Sequence, residues 1–236
     1  DALRLSRKSI NEAVHLVTTA LKLYNVHLNL SVTLPPRKPN IKELPTIEQA
    51  MRMLVGSDIE LPCLLAMWLS LRVSEVRGLQ FGDLVGNVLT VRRSKMYIGG
   101  KDVVRDVNKT YNSTRKLVVP DYLLKLIRAV PHESNQDYIV QQKYQLIKKH
   151  LDKLAKQHGL QLTFHELRHL NASAMHALGI PDKYAMERGG WSTTATLKSV
   201  YQHTFSEKRK QFDAEIDAYF NSMLPDGLGE DTQDRG

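Results

Sequence analysis

The chain has 236 residues, a formal net charge of +8 and a single cysteine, Cys63. That length buries a sizeable core in one or two domains, the 42% hydrophobic content agrees, and a lone thiol excludes an internal disulfide and points to a reducing compartment. A pI near 9.5 calls for a polyanionic partner, and nucleic acid fits better than a membrane because no long apolar run or basic amphipathic helix is present.

Ser9-Ile10-Asn11-Glu12 reads as a capping box, after which Ile10, Val14, Val17, Leu21 and Tyr24 recur at helical steps. Thr33 to Pro39 contains Leu34-Pro35-Pro36-Arg37-Lys38-Pro39, stiff and basic as an interdomain linker would be. With Asp1 in place of a methionine and no signal peptide, residues 1–42 are expected to be the tail of something larger, the alternative being a helix packed on the main domain. A second capping box, Thr46 with Gln49, starts a helix that Gly56 ends. Ile59 to Leu69 is apolar nearly all round and predicts a central buried helix, with Cys63 as a small core residue. This helix stops at Arg72. A guanidinium there either meets an internal carboxylate, for which Glu75 is the candidate, or faces an anion at the floor of a cleft.

Val88 to Val91, Val103 to Val107 and Leu117 to Val119 are rich in β-formers and separated by Gly99-Gly100 and Asn112-Ser113, which predicts a three-stranded antiparallel meander. Arg92, Arg93, Lys95, Lys101, Arg105, Lys109, Arg115 and Lys116 crowd it against only Asp102 and Asp106, an electrostatic footprint for phosphates. Lys109 falls at the second turn, where a long side chain reaches into a groove. Helices are expected over Asp121 to Ala129, Gln141 to His158 and Thr163 to Leu178, the last capped by Gly179. Another begins at Ser206, with Phe212, Ile216, Tyr219 and Met223 on one stripe, and Pro225 to Gly236 reads as a flexible tail.

The stretch from Leu162 to Phe205 organises the rest. On one helix, His165 and Arg168 share a face, and a planar fork beside a titratable imidazole suits a phosphate. His165-Glu166-Leu167-Arg168-His169 also spells His-Glu-x-x-His, the zincin pattern, with Glu187 available as a third ligand. That alternative explains neither the basic β-region nor Arg72. A DNA-binding module without chemistry is a further alternative, and Tyr201 separates it from an enzyme.

His165-x-x-Arg168, Gly189-Gly190-Trp191 and Tyr201 resemble box II of the tyrosine recombinases, the lambda-integrase-like family, and Ser70-Leu71-Arg72-Val73-Ser74-Glu75 resembles box I, with Ser70 in the usual place of a glycine. Lys109-Thr110 is similar to the lysine of the family's β-hairpin. The resemblance covers residues 43–205 and implies an α+β fold, a mainly helical catalytic domain with a small three-stranded antiparallel sheet. It implies that residues 1–42 end a core-binding domain, that 43–224 form the catalytic domain, and that 206–223 are an exchange helix.

The implied activity is site-specific recombination by an integrase of a phage or integrative element. Tyr201 would be the nucleophile, Arg72 and Arg168 the phosphate clamp, Lys109 the acid, His165 a hydrogen-bond donor or base, and Trp191 a donor or buttress. Arg92, Arg93, Lys95, Arg115 and His169 are expected to bind DNA. No metal or nucleotide cofactor is implied. The implied partner is double-stranded attachment-site DNA, bound by a homotetramer assembled from monomers in the cytoplasm, with DNA-bending or directionality proteins as accessories and no membrane. A type IB topoisomerase shares the chemistry and is the nearest rival.

Overall fold

A computed structural model describes residues 7–24, 44–106, 114–194 and 197. The linker expected at 33–39, the Lys109 turn, Tyr201 and everything after it lie outside the described residues. The chain divides into two compact units, Asp1–Lys42 and Glu43–Gly236. In the first, α1 (Arg7–Leu23) is a single amphipathic helix with no residue fully buried.

The second unit is mainly helical with small antiparallel β-pairings, as the sequence predicts. Helix α2 (Ile47–Leu54) opens on the expected capping box: Thr46 Oγ1 accepts from the Gln49 amide (3.1 Å) and Gln49 Oε1 accepts from the Thr46 amide (2.8 Å). Gly56 follows at φ +78°, a left-handed conformation that favours glycine after a helix. Helix α3 (Glu60–Leu69) is the centre: Pro62, Cys63, Leu64, Leu65, Ala66, Met67 and Leu69 are all buried, and other helices of the unit pack against it from several sides. Each such leucine contributes about 1.5–3 kcal/mol by burial. Desolvation pushes the Cys63 thiol pKa up, which makes it an inert core group.

Two short helices break the sequence reading. Helix α4 (Val73–Gly78) starts directly at Arg72, and α8 (Asp182–Gly189) follows α7 (Phe164–Ala177). The six residues of α4 are too few to show helical periodicity in sequence, and α8, with Asp182, Lys183, Glu187 and Arg188 among its eight residues, has too few apolar positions to show it. Helices α5 (Asp121–Arg128) and α6 (Tyr144–Gln157) fall inside their expected spans, and Gly179 sits at φ +68° behind α7. Glu166 caps the start of α7, its Oε2 accepting from the Thr163 amide at 2.6 Å.

The expected meander is corrected. Strands β1 (Leu84–Val85), β2 (Val88–Val91) and β5 (Arg115–Val118) form one antiparallel sheet in the order β1-β2-β5, with Val91 opposite Arg115. The Val103 run belongs elsewhere: β4 (Lys101–Asp106) pairs with β3 (Arg93–Ile98) in a separate hairpin. Its turn is Gly99-Gly100, at φ +58° and +82°, as a tight two-residue connection requires. Strand β3 escapes notice in sequence because Arg93, Lys95 and Tyr97 give it no apolar run.

The hairpin is fastened to α4 by ions. Arg77, nearly fully buried, donates Nη2 to Asp102 Oδ1 at 2.7 Å, and Lys95 lies 3.5 Å from Asp102 and 3.9 Å over the Tyr138 ring. The buried Asp83 carboxylate accepts from Arg92 Nε (2.7 Å), Arg93 Nη1 (2.9 Å) and the Gln80 amide (2.9 Å). A Cβ on Gly78 would stand 2.7 Å from the Arg93 carbonyl oxygen, so the strand approaches α4 as closely as backbone allows.

An apolar cavity of about 430 Å³ opens beside α3 and α7, lined in part by Met51, Met67, Trp68, Met175 and Tyr184. Asn171 and Arg188 are its polar exceptions: Asn171 Nδ2 donates to the Trp68 carbonyl at 3.1 Å and Arg188 Nη2 to the same oxygen at 3.3 Å, while the buried Asn171 Oδ1 has no partner among the described residues.

Ser70 caps α3 at φ +58°, the one positive φ on a described residue other than glycine, and its buried hydroxyl has no hydrogen-bond partner among those residues. A side chain in the left-handed region costs roughly 1 kcal/mol. Ser70→Gly is therefore expected to raise stability by about 1 kcal/mol in urea unfolding, because the strain relieved and the orphaned hydroxyl removed outweigh the added chain entropy.

Candidate active site

Four of the residues singled out in the sequence converge from three elements. Arg72 stands at the N-terminus of α4, His165 and Arg168 lie in the first turns of α7, and Trp191 follows α8. Lys109 and Tyr201 lie outside the described residues.

Arg168 is the most constrained. It is 2% exposed, donates Nη1 to the Ser70 carbonyl oxygen at 2.5 Å, and stacks its guanidinium carbon 4.2 Å from the centroid of Trp191. Its buried Nη2 has no hydrogen-bond partner among the described residues. Burial first, and then the positive charge of Arg72, lower its pKa to about 9, so it stays charged at neutral pH. A buried guanidinium nitrogen with no partner among the described residues is a donor of the kind that suits an anion.

Trp191 buttresses this cation from a fixed turn. Gly189 has no room for a side chain, since a Cβ there would lie 1.9 Å from the Trp191 ring. Gly190 caps α8 at φ +64°, and its carbonyl accepts from Arg72 Nη2 at 2.7 Å. The Gly-Gly-Trp signature thus joins the indole to Arg168 and the turn to Arg72.

Glu75 is the carboxylate that the sequence offers to Arg72, and the structure adds a second claimant. Oε1 accepts from Arg72 Nη1 (2.9 Å) and Arg115 Nη1 (3.1 Å), while Oε2 accepts from the Arg72 amide (2.8 Å) and Arg115 Nη2 (2.8 Å). Burial alone would raise its pKa, but the hydrogen bonds and charge of Arg115, followed by those of Arg72, bring it down to about 2. Arg115 also donates Nε to the Arg188 carbonyl at 3.0 Å, tying β5 to the end of α8. Nothing in the sequence signals a pairing across forty positions.

The expected DNA-binding set divides accordingly. Arg115, with a side chain 10% exposed, is enclosed by Glu75 and α8 and does not present an open cation to a polyanion. Arg93 and Lys95 are largely committed to Asp83, Asp106 and Asp102, whereas Arg92 keeps a side chain 48% exposed beside Asp83. Lys101, Arg105 and Lys116 are exposed.

His165 and His169 meet edge to face with ring centroids 4.6 Å apart. Desolvation, then Arg168 and Arg72, lowers the His165 pKa. His169, one turn deeper, is lowered by burial and then by His165 to about 4, and its buried Nδ1 has no partner among the described residues. Both rings are neutral near pH 7. The zincin reading fails on Glu166, which lies in the α7 cap instead of serving as a base, and among the described residues no three His, Cys, Asp or Glu side chains cluster to hold a metal.

A helical unit with a small antiparallel sheet, converging arginines and a stacked tryptophan defines the catalytic fold of the tyrosine recombinases. The chain belongs to the phage integrase family, whose model matches residues 43–208. Among solved structures it is similar to the Tn1549 transposon integrase in complex with transposon right end DNA: TM-score 0.67 and 18% identity, covering 89% of this chain and 80% of that one. It is also similar to XerA recombinase, with TM-score 0.57 and 18% identity over 90% of this chain and 77% of the other. A segment of 56 residues is 36% identical to an integrase from Saccharopolyspora erythraea, spanning 24% of this chain and 13% of that protein. The structural likenesses establish the fold.

The depressed histidines make stability depend on pH. Between the usual value of 6.5 and the folded value of about 4 for His169, the unfolded chain binds more protons than the folded one. Stability is therefore full above that window and falls as pH drops through it. After discounting for partial exposure, His169 alone accounts for roughly 2 kcal/mol. Urea titrations at pH 7 and pH 5 are expected to show about half of this loss, roughly 1 kcal/mol, because pH 5 lies within the window, and His169→Asn is expected to flatten the slope.

Proposed function

We propose that this protein is a site-specific DNA recombinase that cleaves and rejoins double-stranded attachment sites through a covalent 3′-phosphotyrosine. The observation that carries the reading is the buried Arg168, one of whose terminal nitrogens has no partner among the described residues, lying close enough to Arg72 for the two positive charges to act on one another. Family membership supplies the substrate class, and the +8 charge supports a polyanion.

In this mechanism the Tyr201 oxygen attacks the scissile phosphorus, giving up its proton with His165 as hydrogen-bond partner or base. The bond from phosphorus to the 5′ oxygen breaks, and Lys109 protonates that oxygen. Arg72 and Arg168 neutralise the non-bridging oxygens of the crowded intermediate, and Trp191 holds the plane of Arg168. Attack of another 5′ hydroxyl on the phosphotyrosine reverses the steps and seals the new junction. The energy of the broken ester is retained in the protein–DNA bond, so the scheme involves neither a metal nor a nucleotide.

Residues 1–42 act as the end of a core-binding domain with its linker, and 43–224 as the catalytic domain, working in the bacterial cytoplasm. Arg92, Lys101, Arg105 and Lys116 grip backbone phosphates around the site. In the sequence Phe212, Ile216, Tyr219 and Met223 recur at helical steps, and the 430 Å³ mostly apolar cavity beside α3 and α7 would suit such a stripe. Residues 206–223 of one copy dock in that cavity on the next, which assembles four copies on two duplexes.

Tyr201→Phe is expected to form no SDS-resistant adduct on nicked attachment-site DNA while keeping wild-type affinity in a gel shift, since one hydroxyl supplies the nucleophile and little of the binding. A persisting adduct would sink the assignment. Arg72→Lys and Arg168→Lys should each slow single-turnover cleavage by about 100-fold or more despite keeping charge, because an ammonium cannot reproduce a bidentate fork. Deleting residues 206–236 is expected to abolish the tetrameric complex on paired sites in native gels and to spare binding to one site; an undiminished tetramer would show that the tail packs in cis.

A further inference from the structure

We propose that Arg115 is a positioning residue for the phosphate site: by balancing Glu75, it keeps the charge of Arg72 available to an incoming anion. The inference rests on the recombinase reading above and deepens it. Glu75 is nearly buried and ionised, and a lone carboxylate so placed would draw both terminal nitrogens of Arg72 onto itself. Instead its oxygens are shared. Arg115 gives both terminal nitrogens to Glu75, leaving Arg72 one contact from Nη1 and one from its own backbone amide. Arg72 gives one further contact to the Gly190 carbonyl, and its side chain stays 44% exposed.

Arg115 cannot itself be the clamp. Its Nε, Nη1 and Nη2 are all engaged, and only a tenth of its side chain is exposed. Its effect on the anion is exerted through Glu75. Three guanidiniums and one carboxylate leave the cluster with a net charge of +2. Arg115→Gln leaves +1, and Arg115→Gln with Glu75→Gln restores +2 while keeping an acceptor beside the Arg72 amide. A residue that merely props β5 against α8 shows no such recovery. Gly190 fits the same arrangement, because a Cβ there would meet Arg115 Nη1 at 2.9 Å.

The test uses the full chain and two readouts. The first is tungstate binding by calorimetry, which needs no cleavage, and the second is single-turnover cleavage of nicked attachment-site DNA. Arg115→Gln should weaken tungstate binding by about tenfold and slow cleavage by about 100-fold, with little change in DNA affinity. Adding Glu75→Gln should recover at least about tenfold of the cleavage loss and most of the tungstate affinity. A folded double variant as impaired as Arg115→Gln on both readouts, or more so, overturns the proposal. If the glutamine variants do not fold, Arg115→Lys decides: tungstate affinity within about threefold of wild type supports the charge-balancing role, and a loss of about tenfold or more overturns it. A wild-type protein that binds tungstate in this pattern yet never cleaves DNA would instead refute the recombinase reading.

Discussion

A single carboxylate shared by two guanidiniums fixes most of what surrounds it. Glu75 accepts from the amide that begins α4, from the Arg72 side chain and from Arg115 on β5. Arg115 in turn holds the last turn of α8. One acidic group thereby joins the helix after the central core element, the sheet and the helix that precedes Trp191. Removing one partner of a buried pair costs about 3–5 kcal/mol, because the survivor is left charged and unpaired. The arrangement is costly to break and tolerates a net positive surplus.

That surplus is what the proposed phosphate site relies on. Arg168 is buried against Trp191 with one nitrogen bonded to the Ser70 carbonyl and another unbonded among the described residues. The two left-handed caps aim carbonyls at the arginines: Ser70 offers its oxygen to Arg168 and Gly190 to Arg72. Neutral dipoles thus orient both forks without discharging them. A carboxylate on Arg168 would quench the charge that a phosphate requires.

Much of this was legible in the sequence. The all-round apolar run of Ile59 to Leu69 gave the central helix, and the Thr46-Gln49 box gave the start of α2, because burial and capping leave local signals. His165 and Arg168 are recognisable by type and spacing, Arg72 and Trp191 by the resemblance to the family's two boxes, and the structure brings the four together. The sheet was misassigned because β3 is basic and strands pair by contacts that alternation alone does not specify. Among the cations, Arg115 and Lys95 read as surface charge because their carboxylates are supplied by the fold: Glu75 lies forty residues away, and Asp102 joins Lys95 only across the hairpin. Helix α4 is too short for a period to show, and α8 is too polar for one.

The central claim is that Arg72 and Arg168 form one anion receptor while Arg115 stays on Glu75. A crystal soaked in tungstate and measured at the tungsten absorption edge tests it directly. The account predicts one anomalous peak within hydrogen-bonding distance of both Arg72 and Arg168, with Arg115 still bonded to Glu75. A peak on Arg115, or tungstate bound solely along the basic β3–β4 hairpin, would contradict it.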